Sequence, residues 1–98
     1  MPVLNEEEFL ERALKTLREQ TFSDYELIVV DNGSTDRSPE IAARFADRVI
    51  VEPQRGYDRA LHRGISEARG QFIVQADADT FYPPRWLSLM VRALEGEG

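Results

Sequence analysis

The sequence has no cysteine, a single histidine and a single lysine. Without cysteine there are no disulfides, no thiolate zinc sites and no cysteine nucleophile. With His62 as the only imidazole, a multi-histidine metal site is excluded too. Long apolar runs are also missing. Leu27-Ile28-Val29-Val30 is among the longest, at about four residues, where a membrane-spanning helix needs about 20. No basic-then-apolar leader opens the chain, so a cytoplasmic location is expected, with the cytoplasmic face of a membrane as the alternative for a full-length parent. Positive charge is scarce: 12 Lys+Arg stand against 18 Asp+Glu, a formal net charge of −6. A general nucleic-acid binder needs a cationic face, so that class is not expected. A bound nucleotide remains compatible with the acidic balance if a metal ion supplies local positive charge.

What is present suffices for one small globular domain. The chain has 98 residues, 42% of them hydrophobic and 31% charged, within the range of ordinary folded proteins. Residues 1–98 are read as a single, partial domain with no linker, repeat or low-complexity tract.

Asn5 is a good helix N-cap, with Glu8 three residues on as in a capping box. Phe9, Leu10, Ala13, Leu14 and Leu17 follow at helical spacing. Residues 25–30 read as a buried strand. Ser38-Pro39 opens a second helix, with Ile41, Ala42 and Phe45 on its apolar side. Residues 49–51 form the next strand, ended by Pro53. Ala60, Leu61, Gly64, Ile65 and Ala68 mark a third helix, and Gly70 suits its C′ position. Residues 72–74 read as another buried strand. Pro83-Pro84 precedes a last helix whose face is Trp86, Leu87, Met90, Val91 and Leu94. Such alternation implies right-handed crossovers and a mainly parallel sheet with helices on both faces. Ligands in such sheets bind beyond the carboxyl ends of the strands. The ends look incomplete. Only Met1-Pro2-Val3-Leu4 precede the first helix, and Glu95-Gly96-Glu97-Gly98 stops where another strand is due.

Asp77-x-Asp79 carries the sharpest chemical signal. Two carboxylates flanking one residue at a strand end can face one small volume, where they would repel each other. A hard divalent cation, Mg²⁺ or Mn²⁺, relieves that repulsion through oxygen ligands. The plainer reading is a solvated acidic turn. Residues 31–36 form a polar loop rich in turn formers, which is either a simple connection or a rim that reads a base or ribose. Arg55, Arg59, Arg63, Arg69 and His62 read as surface, and Trp86 and Met90 as core. Neither G-x-G-x-x-G nor GxxxxGK[ST] occurs, so the usual dinucleotide and P-loop solutions are absent.

P-V-L-N-E, L-R-E-Q-T-F-S-D-Y-E-L-I-V-V-D-N-G-S-T-D, A-L-H-R-G-I-S-E-A-R-G and A-D-A-D-T-F-Y-P-P-R-W-L occur in this order along nearly the whole chain. In combination they resemble the family-2 glycosyltransferases. The resemblance implies a Rossmann-like GT-A fold, here in its N-terminal, nucleotide-sugar-binding part. It implies a metal-dependent, inverting transfer of a sugar from a UDP-, GDP- or TDP-linked donor to an acceptor. By the same resemblance Pro2, Leu4 and Glu6 fall where the first loop contacts the nucleoside. Asp31 and Asn32 fall at the pair that reads the base and its surroundings. Asp77-Ala78-Asp79 matches the DXD motif, with Asp79 on the cation and Asp77 on the ribose or the cation's water shell. The family often has Asp where this chain has Asn32, and Ala-Arg-Asn where it has Ala60-Leu61-His62. Inverting members take their general base from well past the DXD motif, so the catalytic residue is left unassigned. Two other readings stay open. One is a non-catalytic nucleotide-binding fragment, or a module that associates with its own copies through an incomplete sheet. The other is a haloacid-dehalogenase-type phosphatase, although Phe81 stands where that motif has Thr or Val.

Overall fold

The structure, a computed structural model, describes residues 1–96. Its elements are β1 (Pro2–Val3), α1 (Glu7–Arg18), β2 (Ile28–Asp31), α2 (Ser38–Phe45), β3 (Arg48–Val51), α3 (Tyr57–Glu67) and α4 (Trp86–Leu94). The three strands form one parallel sheet in the order β1-β2-β3. Val30 pairs with Pro2 on one side and Ile50 on the other. Successive β2 residues face opposite sides, as the pleat requires. Val29 joins Leu10 and Leu14 of α1 and Ile41 and Ala42 of α2 in the main core. Val30 meets α3 instead, where a Cβ added to Gly64 would lie 3.2 Å from Val30 Cγ2. Gly64 thus permits a close helix–sheet approach. The expected parallel sheet with helices on both faces is present, and all three strands run in one direction, so their carboxyl ends share one edge.

Two expectations about strands are corrected. The N-terminal segment does not leave a gap: Pro2–Val3 forms β1. Met1 and Val3 direct their carbonyls to the N–H groups of Val30 and Asn32, both at 2.9 Å. Pro2 lies between them, so β2 makes no demand on its missing N–H. The premise of an open gap beside β2, which motivated self-association, is therefore removed. Residues 72–74, in contrast, are not a strand. Because Met1 and Val3 turn their polar groups toward β2, the outward-facing residue of β1 is Pro2, which has no N–H to offer. A fourth strand would find the Pro2 carbonyl but no N–H partner there. Phe72 and Val74 instead line an apolar cavity of about 770 Å³ with Trp86 and Leu87.

The helices differ from expectation mainly at their ends. α1 buries Leu10, Ala13, Leu14 and Leu17 as its periodicity predicts, but Phe9 is 41% exposed. Glu7 and Glu8 in its first turn and Lys15 and Arg18 in its last complement the helix dipole. Its N-cap is Glu6 rather than Asn5, and no side-chain capping bond comes from either. α3 ends at Ala68, which turns extended (φ −70°, ψ 142°), so Gly70 does not act as a left-handed stop. In α4 only Leu87 is fully buried, and Met90, expected in the core, is exposed. Part of the expected tail, Glu97 and Gly98, lies outside the described residues.

Candidate nucleotide and metal site

The loops after β1 and β2 fasten each other at the carboxyl edge of the sheet. Asn5 adopts a left-handed conformation (φ 52°), which Asn tolerates better than most residues. This turn aims three successive N–H groups at the second loop. Asn5 N–H donates to Ser34 Oγ at 2.9 Å, Glu6 N–H to Ser38 Oγ at 2.9 Å, and Glu7 N–H to Asp36 Oδ2 at 3.1 Å. In return Asn5 Oδ1 accepts from Thr35 N–H at 2.8 Å, and Glu7 Oε2 accepts from Arg37 N–H at 3.1 Å. The open N–H groups at the start of α1 are thus capped from some 30 residues away in sequence.

The Asp77–Asp79 segment reaches the same edge without a strand beneath it. α1 and α4 bring it there. Gln20, 8% exposed, donates to Thr16 O at 3.0 Å and Pro83 O at 2.7 Å, and accepts Leu87 N–H at 2.8 Å. Tyr82 N–H donates to Thr16 Oγ1 at 3.0 Å. The Tyr82 ring rests on Trp86 at a centroid distance of 4.3 Å, and its hydroxyl accepts Asp77 N–H at 2.7 Å. Ala76 and Ala78 plug into the core while Asp77 and Asp79 between and after them face outward.

Asp77 and Asp79 border one cavity of about 550 Å³ together with Glu6. Pro2, Leu4, Asn32 and Ala78 border it as well, and Tyr57 closes one side. Of the site residues implied by the resemblance, Asp31 does not line it, and neither does the rest of the polar loop, residues 33–36. No Lys, Arg or His lines this space among the described residues. The negative charge is felt: burial, then the neighbouring Asp79 and Asp36, push the Glu6 carboxyl above its usual range. Among the described residues no three His, Asp or Glu side chains group closely enough to hold an ion alone. Mg²⁺ and Mn²⁺ seldom need that, since one or two carboxylates plus waters and substrate phosphates complete their shell. The hard oxygen donors of Asp77 and Asp79, beside an uncompensated Glu6, fit such a cation.

Asp31 and Asn32 do different work. Both are 4% exposed. Asp31 Oδ2 accepts the N–H groups of Gly33 and Ser34, each at 3.3 Å, and its Oδ1 is buried with no partner. A buried carboxylate oxygen without a donor is costly. Asn32 is fully engaged. Its amide nitrogen donates to Glu52 O and Gln54 O, both at 2.9 Å, and its Oδ1 accepts Gly56 N–H at 2.9 Å. It holds the connection between β3 and α3, and through Gly56 it sets the start of α3 at Tyr57.

The sequence as a whole matches a known family. The family model for glycosyl transferase family 2 covers residues 1–98. The chain belongs to that family. Glycosyltransferase AglE of Haloferax volcanii is 34% identical over all of this chain and 35% of its own length. Glucosyl-3-phosphoglycerate synthase of Mycobacterium tuberculosis, solved with UDP, is 30% identical, with a TM-score of 0.78 over 95% of this chain and 37% of that one. TarS of S. aureus, also solved with UDP, shares the fold at 22% identity, with a TM-score of 0.85 over 97% of this chain and 30% of that one. The architecture is therefore the Rossmann-like GT-A fold, and the phosphatase reading is set aside. The chain spans about a third of the length of the curated relatives it matches. No helix among the described residues is long and apolar enough to cross a membrane.

Some residues build the site in a way the sequence did not show. Ser34 and Asp36 lie in the loop read as a connection or a nucleoside rim, and Ser38 at a helix start, but their bonds to Asn5, Glu6 and Glu7 reach a helix away. Tyr57 lies one turn before Ala60 and Leu61, so its spacing reads as part of the apolar side of the third helix and not as a site residue. Only its position at the first turn of α3, beside the carboxyl edge, marks it.

Proposed function

We propose that this chain binds a nucleotide diphosphate sugar through a divalent cation, Mg²⁺ or Mn²⁺. It would form the donor-binding part of a transferase that passes the sugar to an acceptor with inversion. The observation that carries this reading is the charge of the 550 Å³ cavity. Glu6, Asp77 and Asp79 line it and no basic side chain among the described residues does. A diphosphate entering alone would be repelled, whereas a diphosphate bridged to a cation would be held.

In this reading Asp79 holds the cation, and Asp77 orients the ribose or the cation's water shell. Pro2 and Leu4 offer apolar contact to the base. The unpartnered Oδ1 of Asp31 suits an N–H donor of the base once the nucleoside displaces what covers it. When bound, the cation would supply Lewis-acid stabilisation of the charge that builds on the departing nucleoside diphosphate. The synthase from M. tuberculosis has also been solved with Mn²⁺, UDP and its glucosylated product, at 30% identity to this chain, which supports both the cation and uridine.

Calorimetry with UDP and with GDP, each with and without Mn²⁺, tests the reading. Binding of UDP that requires Mn²⁺ is the expected outcome. Binding indifferent to the metal, or none by a folded protein, overturns it.

A further inference from the structure

Asp77 sits on a segment with no strand ladder to hold it, yet its backbone N–H is held and a tyrosine hydroxyl stands over its carboxylate. Tyr82 accepts its N–H at 2.7 Å. The Tyr57 hydroxyl lies 3.5 Å from Asp77 Oδ1 as its donor. That hydroxyl is itself oriented, because the Gln75 amide donates to the same oxygen. A phenol oxygen that accepts from an amide must turn its hydrogen elsewhere, and the Asp77 carboxylate is the acceptor on hand. The direction of Tyr57 is fixed in turn from below. It follows Gly56, whose φ of 134° a side chain would strain. The Gly56 N–H is anchored on Asn32 Oδ1 at 2.9 Å. Asp77 and Asp79 both border the cavity with exposed side chains.

We infer that Tyr57 is a positioning residue for Asp77. Its hydroxyl, oriented by Gln75, sets the carboxylate toward the cavity and replaces the rigidity that a paired strand would give. The inference rests on the nucleotide–cation reading of that cavity. It adds that the cation-dependent part of nucleotide affinity runs through a tyrosine on α3, some 20 residues from the acid it aims.

Tyr57→Phe keeps the ring and removes the hydroxyl. Mn²⁺-dependent UDP binding is then measured by calorimetry for the unaltered chain, Tyr57→Phe and Asp79→Ala, with thermal melts of each. The electron paramagnetic resonance spectrum of Mn²⁺ is recorded with UDP present. The expected result for Tyr57→Phe is about five- to tenfold weaker UDP binding in Mn²⁺. Its melt should be unchanged, UDP binding without metal should stay absent as in the unaltered chain, and its Mn²⁺ spectrum should be altered. A merely structural tyrosine would move the melt and leave the spectrum alone. If Tyr57→Phe fails to fold, Gln75→Leu, which frees the hydroxyl to rotate, should show the same weakening and altered spectrum. Normal metal-dependent binding by Tyr57→Phe, beside a loss in Asp79→Ala, overturns the role of Tyr57 and leaves the site reading standing. Absence of metal-dependent binding in the unaltered chain overturns the site reading, and this inference with it.

Discussion

The Ser38 hydroxyl, wholly buried, accepts the backbone N–H of Glu6 at 2.9 Å. This bond joins the first turn of α2 to the first turn of α1 and fixes where Glu6 enters the cavity. Ser38→Ala removes the acceptor and strands a part-buried backbone donor. Loss of a cap of this kind costs about 1–2 kcal/mol. Urea denaturation should show that loss. Amide exchange at Glu6 should rise more than at the core residue Leu10.

Asn32 makes a second such link, and its chemistry decides the outcome of an isosteric change. Its amide gives two hydrogens to the carbonyls of Glu52 and Gln54. Asn32→Asp keeps the shape and turns a donor into an acceptor, so a carboxylate oxygen would face two carbonyl oxygens. The buried site should lose about 3 kcal/mol. Asn32→Ala, which leaves the carbonyls unpaired without adding charge, should lose less. Denaturant midpoints of the two variants check the order. An equal or smaller loss for Asp would show that the amide does not carry this connection.

These two links mark what could be read from the residue order and what could not. The helical period of Leu10, Ala13, Leu14 and Leu17 was legible because burial of one helix face follows local spacing. The alternation of strands and helices and the Asp77-x-Asp79 pair were legible for similar reasons. Asn5 misled because a capping box is a local pattern, whereas the N–H groups of α1 are satisfied from the β2–α2 loop. Residues 72–74 misled because strand formation depends on the partner edge, and the edge of β1 presents Pro2. Met90 and Phe9 have the right period for burial, but no further layer among the described residues covers them. The contacts of Tyr57 with Asp77 and Gln75 join segments some 20 residues apart and leave no period to read.

Away from the site, Asp47 gives the fold an acid-sensitive tie. Its Oδ2 accepts Leu27 N–H at 2.7 Å and pairs with Arg18 at 3.0 Å. The bond from Leu27, and then Arg18, hold its carboxyl below the ordinary value of 3.8. A carboxyl whose folded pKa is depressed binds more protons when unfolded, so it adds stability above the unfolded pKa. That contribution is lost as pH falls through the lower, folded value. The unaltered chain should exceed Asp47→Asn in stability near neutral pH, and the gap should shrink below about pH 4. Melts of both between about pH 7 and pH 3 check this. The carboxylate is nearly half exposed, so the gap is small and narrows further with added salt.

Asp79 should show the opposite balance between stability and function. After burial, its charge raises the pKa of Glu6, a repulsion that no basic residue among the described lining offsets. Asp79→Asn removes that repulsion at an exposed position, so the metal-free variant should melt at or above the temperature of the unaltered chain. The Glu6 carboxyl should titrate lower in it, by carbon-detected NMR. The same change removes a charged oxygen ligand. Mn²⁺-dependent UDP binding should then fall by at least about tenfold. A site strained in its empty state and relieved by its ligand predicts both shifts together. A variant that melts lower and binds as before would assign Asp79 to the fold and remove it from the cation.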